Sequence, residues 1–246
     1  MDSSSEPELG EYAQWKGWAT GHTFGSLQRG DAEYFARELR EVRRAAPVTR
    51  VLEVGFGNAE FLRFCRDQGW EVSGTELQPE LCSLAREAGF DAHPADELDR
   101  LPPGAFDLVA AFDVFEHIDP DSSISFLTSL RARLSDGGRI LMRFPNADSW
   151  LGNAFQNGDP THVNAVGYLK LSYYAQAAGL HISVFRGATR RGFRTSWVHG
   201  LHAVTAGAWV SLMGRIRRAM YFPALPVVLS TSDVICMLTK PAAAPR

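Results

Sequence analysis

A glycine turn followed by a carboxylate is the most informative chemical pattern in this sequence of 246 residues. A mostly apolar predicted strand that ends at Val54 runs directly into Gly55 and Gly57, and Glu76 follows Gly57 by 19 residues at the end of a second predicted strand. Glycine allows a tight turn and lets a ligand approach the backbone closely. A carboxylate at the end of the next strand can accept hydrogen bonds from both hydroxyls of a ribose. Together the two features predict a site for an adenosine-containing cofactor.

The charge around this turn indicates which cofactor it binds. Glu53 lies just before Gly55, and Glu60 lies in the first turn of the predicted helix that follows. Carboxylates at these positions would repel the pyrophosphate of a dinucleotide, which binds at an open helix N-terminus. They suit the ammonium and sulfonium groups of S-adenosylmethionine. The alternative interpretation is a helix-capping Glu60 and a merely buried Glu53, but a buried unpaired acid is costly.

Four sequence motifs resemble those of class I S-adenosylmethionine-dependent methyltransferases. Residues 53–58 and Glu76 resemble the first two motifs of that family, 106–118 resembles the fourth-strand motif, and 134–146 resembles the fifth. The motifs occur in the expected order. The resemblance implies a seven-stranded Rossmann-like fold, methyltransferase activity and S-adenosyl-L-methionine as the cofactor.

A finer resemblance points to one branch of this family. Residues 16–18 and 159–162 are similar to segments of methyltransferases from bacterial surface-polysaccharide clusters, and the overall pattern also resembles ubiquinone-type O-methyltransferases. One departure is Ala59, where the family often carries glycine. We expect a methyl group to fit there, at the start of a helix, with cofactor binding retained.

The resemblance also implies which residues contact the cofactor. The methionine end of the cofactor would be lined by Glu53, Gly55, Gly57 and Asn58, and Glu76 would hold the ribose. Leu77 would pack on the adenine, and Asp96, or alternatively Glu97, would reach its amino group. Phe112 and Asp113 would lie beneath the sulfonium.

Histidines beyond two predicted strands are candidates for the general base. Methyl transfer to a hydroxyl requires removal of a proton, and histidine is the usual base near neutral pH. His117 follows the fourth strand, whereas His162 lies after the fifth, with Asp159 close enough to orient His162 or to act itself. His117 could instead be a structural residue that bonds a loop carbonyl.

Three residues are the predicted contacts of the methyl acceptor: Trp18, Arg143 and Asn146. Two of them have a structural alternative. Trp18 could simply fasten the N-terminal arm to the core, and Arg143 could be no more than a charge at the edge of a strand.

Alternating strands and helices predict a doubly wound, mostly parallel α/β sheet. The predicted strands are 50–54, 71–75, 90–93, 106–112, 139–144, 181–185 and 234–239; the predicted helices are 31–45, 59–68, 79–88, 122–134 and 168–178, with a turn at 135–138. We interpret residues 1–48 as an N-terminal arm and helix that form a lid. Residues 49–246 form the methyltransferase domain, with an insertion at about 187–231.

The net charge of −3 conceals a marked asymmetry. Residues 1–159 hold 27 acidic and 15 basic side chains, whereas residues 160–232 hold eight basic and no acidic side chains. Such a split indicates either an anionic partner or a basic solvated face. Within the insertion, one predicted helical stripe runs from Leu201 to Met220. It could pack on the domain, form a homodimer contact or lie on a membrane surface.

The sequence also predicts where the protein is located and which partners it does not have. No apolar run is long enough to span a bilayer, and the N-terminal residues are polar, so we expect a cytoplasmic protein that can also sit at the inner face of the membrane. The three cysteines are scattered, which predicts neither disulfides nor a zinc site, and we expect no metal. The sequence lacks the motif of exocyclic base-amine methyltransferases, so nucleic acid is not an expected partner.

These observations predict an O-methyltransferase that acts on a sugar hydroxyl of a bacterial surface glycan or of its anionic precursor. One alternative is a methyltransferase for a quinone or phenol-like hydroxyl. A third interpretation, from another class, is a non-catalytic subunit that keeps the cofactor site without turnover.

Overall fold

The computed structural model describes residues 24–190 and 196–241. Its seven strands form one sheet in the order β3-β2-β1-β4-β5-β7-β6. The strands are β1 (Arg50–Val54), β2 (Glu71–Glu76), β3 (Asp91–Pro94), β4 (Phe106–Phe112), β5 (Leu134–Pro145), β6 (His181–Gly187) and β7 (Asp233–Thr239). The first five strands run parallel, and β7 is antiparallel to both β5 and β6. This confirms the predicted doubly wound, mostly parallel sheet.

Nine α-helices flank the sheet within the described residues. They are α1 (Arg29–Glu38), α2 (Arg40–Ala45), α3 (Glu60–Asp67), α4 (Pro79–Glu87), α5 (Ser123–Arg133), α6 (Asn153–Gly158), α7 (Tyr168–Ala177), α8 (Trp197–Val204) and α9 (Ala206–Tyr221). None of them is both long and apolar enough to cross a membrane.

Three local predictions were wrong in detail. The single helix predicted at 31–45 is broken at Leu39, which is fully buried and has non-helical backbone angles. The turn predicted at 135–138 is part of β5, where pairing jumps from Leu134 opposite Phe106 to Arg139 opposite Leu108. The stripe predicted to run from Leu201 to Met220 is divided between two helices at Thr205, whose φ and ψ are −107° and −97°.

The N-terminal helix α1 packs on the sheet rather than standing apart from it. The ring of Phe35 lies 5.1 Å from that of Phe61 and 5.7 Å from that of Phe112, between ring centroids. Arg186 of β6 also binds α1, through an ion pair of 2.7 Å with the fully buried Glu38. The interpretation of residues 1–48 as a lid stays a prediction, since residues 1–23, including Trp18, lie outside the described residues.

The sheet brings distant loops to one edge. The carboxyl ends of parallel strands meet at the same edge, where ligands bind in open α/β sheets. Because β7 is antiparallel, its first residue, Asp233, pairs with Pro145 at the end of β5. The insertion that contains α8 and α9 precedes Asp233 and therefore leaves the sheet at this same edge.

Candidate active site

The turn between β1 and α3 requires glycine at its first bend. Gly55 has a φ of +71°, in the region that favours glycine, and a Cβ there would lie 2.5 Å from Cγ2 of Val114. Gly57 also has a positive φ, of +49°. Its amide donates a 2.8 Å hydrogen bond to Oε2 of Glu76. The two sequence features that predicted the cofactor site are therefore in direct contact.

Glu76 organises the loop that follows β2. Its side chain is buried, and Oε1 accepts hydrogen bonds from the amides of Leu77 at 2.7 Å and Gln78 at 3.1 Å. Leu77 is 77% exposed, which leaves its side chain accessible to a flat ligand such as adenine. Of the two rival acids in the next loop, Asp96 is exposed, whereas Glu97 bonds Arg100 at 3.1 Å.

The methionine end of the site contains buried acceptor atoms that lack a partner. Among the described residues, Oε2 of Glu53 and Oδ1 of Asn58 are buried and make no hydrogen bond. Burial, and next the charge of Glu76, raise the pKa of Glu53 well above its usual value. Unsatisfied buried acceptors are costly, and a cationic ligand would satisfy them. The site thus fits the ammonium and sulfonium groups of S-adenosylmethionine, as expected from its charge.

Ala59 precedes the first residue of α3 in a strained conformation. Its φ of 59° and ψ of 22° are left-handed, and the residue is fully buried. The left-handed region costs a residue with a Cβ about 1–2 kcal/mol. The methyl group is accommodated, as expected, but at a position where the backbone favours glycine.

Asp113 and Arg143 join the ends of β4 and β5. Arg143 donates from Nε to Oδ1 of Asp113 at 2.8 Å, and its Nη2 forms a second hydrogen bond with Oδ2. Nη1 donates to the hydroxyl of Tyr34 at 2.9 Å, and the guanidinium lies over the ring of Phe112, 5.4 Å from its centroid. Burial raises the pKa of Tyr34 to about 12, so its hydroxyl stays protonated. Arg143 is therefore held by side chains of α1 and of the end of β4 and is more than a strand-edge charge.

A cavity of about 380 Å³ lies beside this ion pair. It is lined by Asp113, Glu116, Arg143, Pro145, Ala154, Phe155, Gly158, Asp159, His162 and Asp233. The structure thus brings together four of the predicted residues: Asp113, Arg143, Asp159 and His162. Because Asp113 is followed directly by Val114, which lies against Gly55, the cavity adjoins the turn that the sequence predicts to bind the cofactor.

His162 is fixed in one orientation at the wall of the cavity. Its side chain is 7% exposed, and Nδ1 lies 3.0 Å from the carbonyl oxygen of Phe155. A carbonyl only accepts, so we assign the proton to Nδ1 and the lone pair to Nε2. Nε2 lies 3.5 Å from Oδ2 of Asp159 and 3.9 Å from Oε1 of Glu116.

His117 makes the contacts expected of its structural alternative. Its Nδ1 lies 2.9 Å from the hydroxyl oxygen of Thr161 and 3.3 Å from the carbonyl oxygen of the same residue. The ring also meets that of His162 edge to face, with the centroids 4.6 Å apart. His117 is not among the residues that line the cavity.

Asn146 holds the insertion rather than facing the cavity. The residue is fully buried, and its Nδ2 donates to the carbonyl oxygens of Val228 at 2.7 Å and Thr231 at 3.2 Å. Its Oδ1 accepts from the amide of Asp148 at 3.1 Å. With both ends of the amide occupied, Asn146 is poorly placed for the acceptor contact that the sequence suggested.

Sequence reasoning missed two acids of the cavity, Glu116 and Asp233. Glu116 is 1% exposed and neither carboxylate oxygen has a hydrogen-bond partner among the described residues. Burial, and then the charge of Asp113, raise its pKa well above the usual value. Burial likewise raises the pKa of Asp233. Glu116 adjoins His117 in a motif that the sequence had singled out, whereas nothing in the sequence placed Asp233 near it.

Glu116 also belongs to a group with metal-ligand chemistry. One potential ligand atom from each of Glu116, His117 and His162 lies within 4.8 Å of the others. The expectation that no metal takes part stays a prediction.

Comparison with known proteins assigns the family. A family model described as a methyltransferase domain matches residues 24–190, more than half of the chain. The chain belongs to this methyltransferase family. It uses S-adenosylmethionine, in agreement with the charge and the unsatisfied acceptors of the site. The resemblance to class I methyltransferases is thereby confirmed.

Curated relatives of this methyltransferase share part of its sequence. It is 30% identical over 109 residues to a ubiquinone biosynthesis O-methyltransferase of Xanthomonas campestris pv. campestris, covering 41% of this chain and 44% of that protein. A protein of the same description from Burkholderia thailandensis is 22% identical over 162 residues, covering 58% and 69%. The chain therefore spans less than half the length of the Xanthomonas relative.

Solved structures of methyltransferases share the fold. A SAM-dependent methyltransferase from Archaeoglobus fulgidus superposes with a TM-score of 0.59 at 20% identity, over 85% of this chain and 94% of that one. Phosphoethanolamine N-methyltransferase 2 of Haemonchus contortus, in complex with S-adenosyl-L-methionine, gives a TM-score of 0.55 at 17% identity, over 84% and 53%.

Proposed function

We propose that this methyltransferase transfers a methyl group to a sugar hydroxyl of a bacterial surface glycan or of its precursor. The observation that carries the proposal is the cavity next to the cofactor site, with four carboxyl groups on its wall. Carboxylates accept hydrogen bonds, and a sugar offers several hydroxyl donors in a small volume. A phenol or quinone offers few donors to the same wall.

The acidic wall of the cavity disfavours an anionic group of the acceptor inside it. Asp113, Glu116, Asp159 and Asp233 line the wall, and the guanidinium of Arg143 is already paired with Asp113. Burial raises the pKa of Glu116 and Asp233, which favours their neutral forms. An anionic group inside the cavity would still meet the carboxylates of Asp113 and Asp159 at short range and find no free counter-charge among the described residues of the wall. We therefore place the neutral hydroxyl inside and any phosphate or carboxylate of the acceptor outside, towards the basic insertion.

In the proposed mechanism, bound S-adenosylmethionine supplies a methyl group activated by a positively charged sulfur. Residues of the β1–α3 turn and Glu76 hold the cofactor, and the cavity wall orients the acceptor hydroxyl. The hydroxyl proton passes to Nε2 of His162, a buried atom without a hydrogen-bond partner among the described residues, whose lone pair is set by the bond of Nδ1 to Phe155. The carboxylate of Asp159, 3.5 Å away, stabilises the resulting imidazolium.

A quinone or phenol-like acceptor is the second candidate. The curated relatives from Xanthomonas and Burkholderia are described as ubiquinone biosynthesis O-methyltransferases, and Phe155 puts an aromatic ring on the cavity wall. A non-catalytic subunit is the third candidate, and the strained Ala59 is the feature that favours it.

Surface polysaccharide from cells with and without this chain tests the proposal. We expect mass spectrometry to show a sugar that loses one methyl increment when the gene is deleted and regains it with the native chain but not with His162→Ala. An unchanged polysaccharide, together with methylation of a catechol by the purified protein, would favour the phenol candidate. Tight cofactor binding without turnover on either acceptor would favour the non-catalytic subunit.

A further inference from the structure

Helices α8 and α9 expose the residues that helices of globular proteins usually bury. Their buried members among the described residues are all glycines: Gly200, Gly207 and Gly214. Gly207 packs against Arg190, and Gly214 packs against Ser230. The most buried residues of the two helices are therefore their smallest, and those of α9 pack against other residues of the insertion.

Most of the large apolar side chains of α8 and α9 are exposed. We define the α8–α9 face as the exposed apolar residues Leu201, Val204, Trp209, Leu212, Ile216 and Met220 together with Arg215 and Arg217, which flank the apolar stripe of α9 on either side. Trp209, Leu212, Ile216 and Met220 recur at helical spacing and are 41–67% exposed, which makes one continuous stripe along α9. An apolar stripe of this size on a helix surface indicates an interaction site.

The α8–α9 face is positively charged, which favours an anionic partner. Arg215, Arg217 and Arg218 are exposed, and residues 160–232 contain no Asp or Glu. Two other basic side chains among the described residues of this region are engaged within the protein: Arg186 pairs with Glu38 and Glu41, and Arg190 donates to the carbonyl oxygen of Ser230. A symmetric contact between the α8–α9 faces of two copies would bring the exposed arginines of α9 together without an acidic residue to balance them.

We propose that the α8–α9 face docks on the surface of a lipid bilayer that contains anionic phospholipids. Basic amphipathic helices bind such interfaces by burying their apolar face at the headgroup boundary while their cations meet lipid phosphates. α9 has 16 residues, fewer than the about 20 needed to span the hydrocarbon core, so it lies on the surface.

The position of the face connects docking with the cavity. Asn146, which directly follows β5, fixes the insertion through Val228 and Thr231, and Asp233 at the end of the insertion lines the cavity. Docking would hold this edge of the sheet close to the membrane, where a lipid-linked glycan would be presented. Only this last step rests on the proposed function.

Vesicle sedimentation of the full-length protein tests the docking. We expect binding to vesicles of phosphatidylglycerol mixed with phosphatidylcholine, and much weaker binding to phosphatidylcholine alone. The variant R215Q/R217Q should lower the partition coefficient on the order of 30-fold, given the contribution of each basic residue near an anionic surface. The control R29Q/R44Q removes the same charge from exposed positions elsewhere and should bind as the native protein does.

A second variant separates the apolar contribution from the charge. Trp209→Ser with Leu212→Ser should weaken vesicle binding at least tenfold, while calorimetry shows native affinity for S-adenosylmethionine and confirms the fold. The proposal would be overturned if the control variant lost as much vesicle binding as the variant of the α9 arginines. Equal binding of the native protein to neutral and anionic vesicles would also overturn it. So would a dimer in sedimentation equilibrium that the serine variant dissociates. Because binding is read without turnover, failure of docking is distinguishable from failure of the proposed function.

Discussion

The guanidinium of Arg143 holds the carboxylate of Asp113 through two hydrogen bonds, one of them 2.8 Å long from Nε to Oδ1. Arg143 lies near the end of β5, and Asp113 directly follows β4 with a left-handed φ of 56°. The pair therefore fixes the wall between the predicted cofactor site and the cavity, and the charge of Arg143 offsets part of the rise in pKa that burial causes at Glu116 and Asp233.

Breaking this pair should cost stability. Arg143→Met leaves Asp113 beside Glu116 without a counter-charge, and we expect the free energy of unfolding to fall by about 1–3 kcal/mol, below the range for fully buried pairs because Asp113 is partly exposed. Urea denaturation measures the change. Arg143→Met combined with Asp113→Asn should recover part of the loss, and strict additivity of the two substitutions would contradict the coupling.

Cofactor binding should depend on pH through Glu53. The raised pKa of Glu53 means that its carboxyl holds a proton in the free protein over a range where a normal glutamate is ionised. A cationic ligand favours the carboxylate, so binding releases that proton and the affinity for S-adenosylmethionine rises with pH. Calorimetry in buffers of different ionisation enthalpy counts the proton. The Glu53→Gln variant should show no such release, and identical proton counts for both proteins would refute the assignment.

Glu76 should affect cofactor binding more than acceptor binding. Glu76→Ala removes a carboxylate that holds three backbone amides, and we expect the affinity for S-adenosylmethionine to fall by roughly 30-fold or more. Glu97→Ala is a suitable control, because Glu97 bonds Arg100 at the surface and should leave affinity nearly unchanged. Equal losses in the two variants would point to Glu97 as an adenine contact.

The two histidines should respond differently to substitution. His162→Ala should leave cofactor affinity nearly intact and slow methyl transfer by about two orders of magnitude, as expected for a general base. The His117→Ala variant lacks the hydrogen bond between His117 and the hydroxyl of Thr161, and it should slow methyl transfer by less than about tenfold. Rates with a saturating acceptor provide the comparison. If the His162 variant turns over normally, another cavity residue takes the proton.

Methyl transfer should survive removal of metal ions. Burial raises the pKa of Glu116, so a cation bound by Glu116, His117 and His162 would first have to displace a proton, which weakens binding. We expect the same rate before and after treatment with a chelator, and no stimulation by Mn²⁺ or Zn²⁺. A rate that falls with the chelator and recovers with one of these ions would show that the cluster is a metal centre.

The sequence alone was sufficient to predict that the glycine turn and Glu76 lie together. Gly55, Gly57 and Glu76 lie close along the chain, on consecutive strand–turn–helix units whose geometry is local, so their contact could be predicted from spacing. Strand β4 was equally predictable, because a strand buried on both faces is a continuous apolar run.

Only the tertiary structure decided the acceptor half. Asp233 reaches the cavity because β7 is antiparallel and starts beside Pro145, a pairing that no local pattern specifies. The orientation of His162 depends on the carbonyl oxygen of Phe155, and the role of Asn146 depends on Val228 and Thr231, which lie more than 80 residues further along the chain. Hydrogen bonds and charges act over a few ångströms of space regardless of sequence separation, so folding had to bring these partners together before their roles could be assigned.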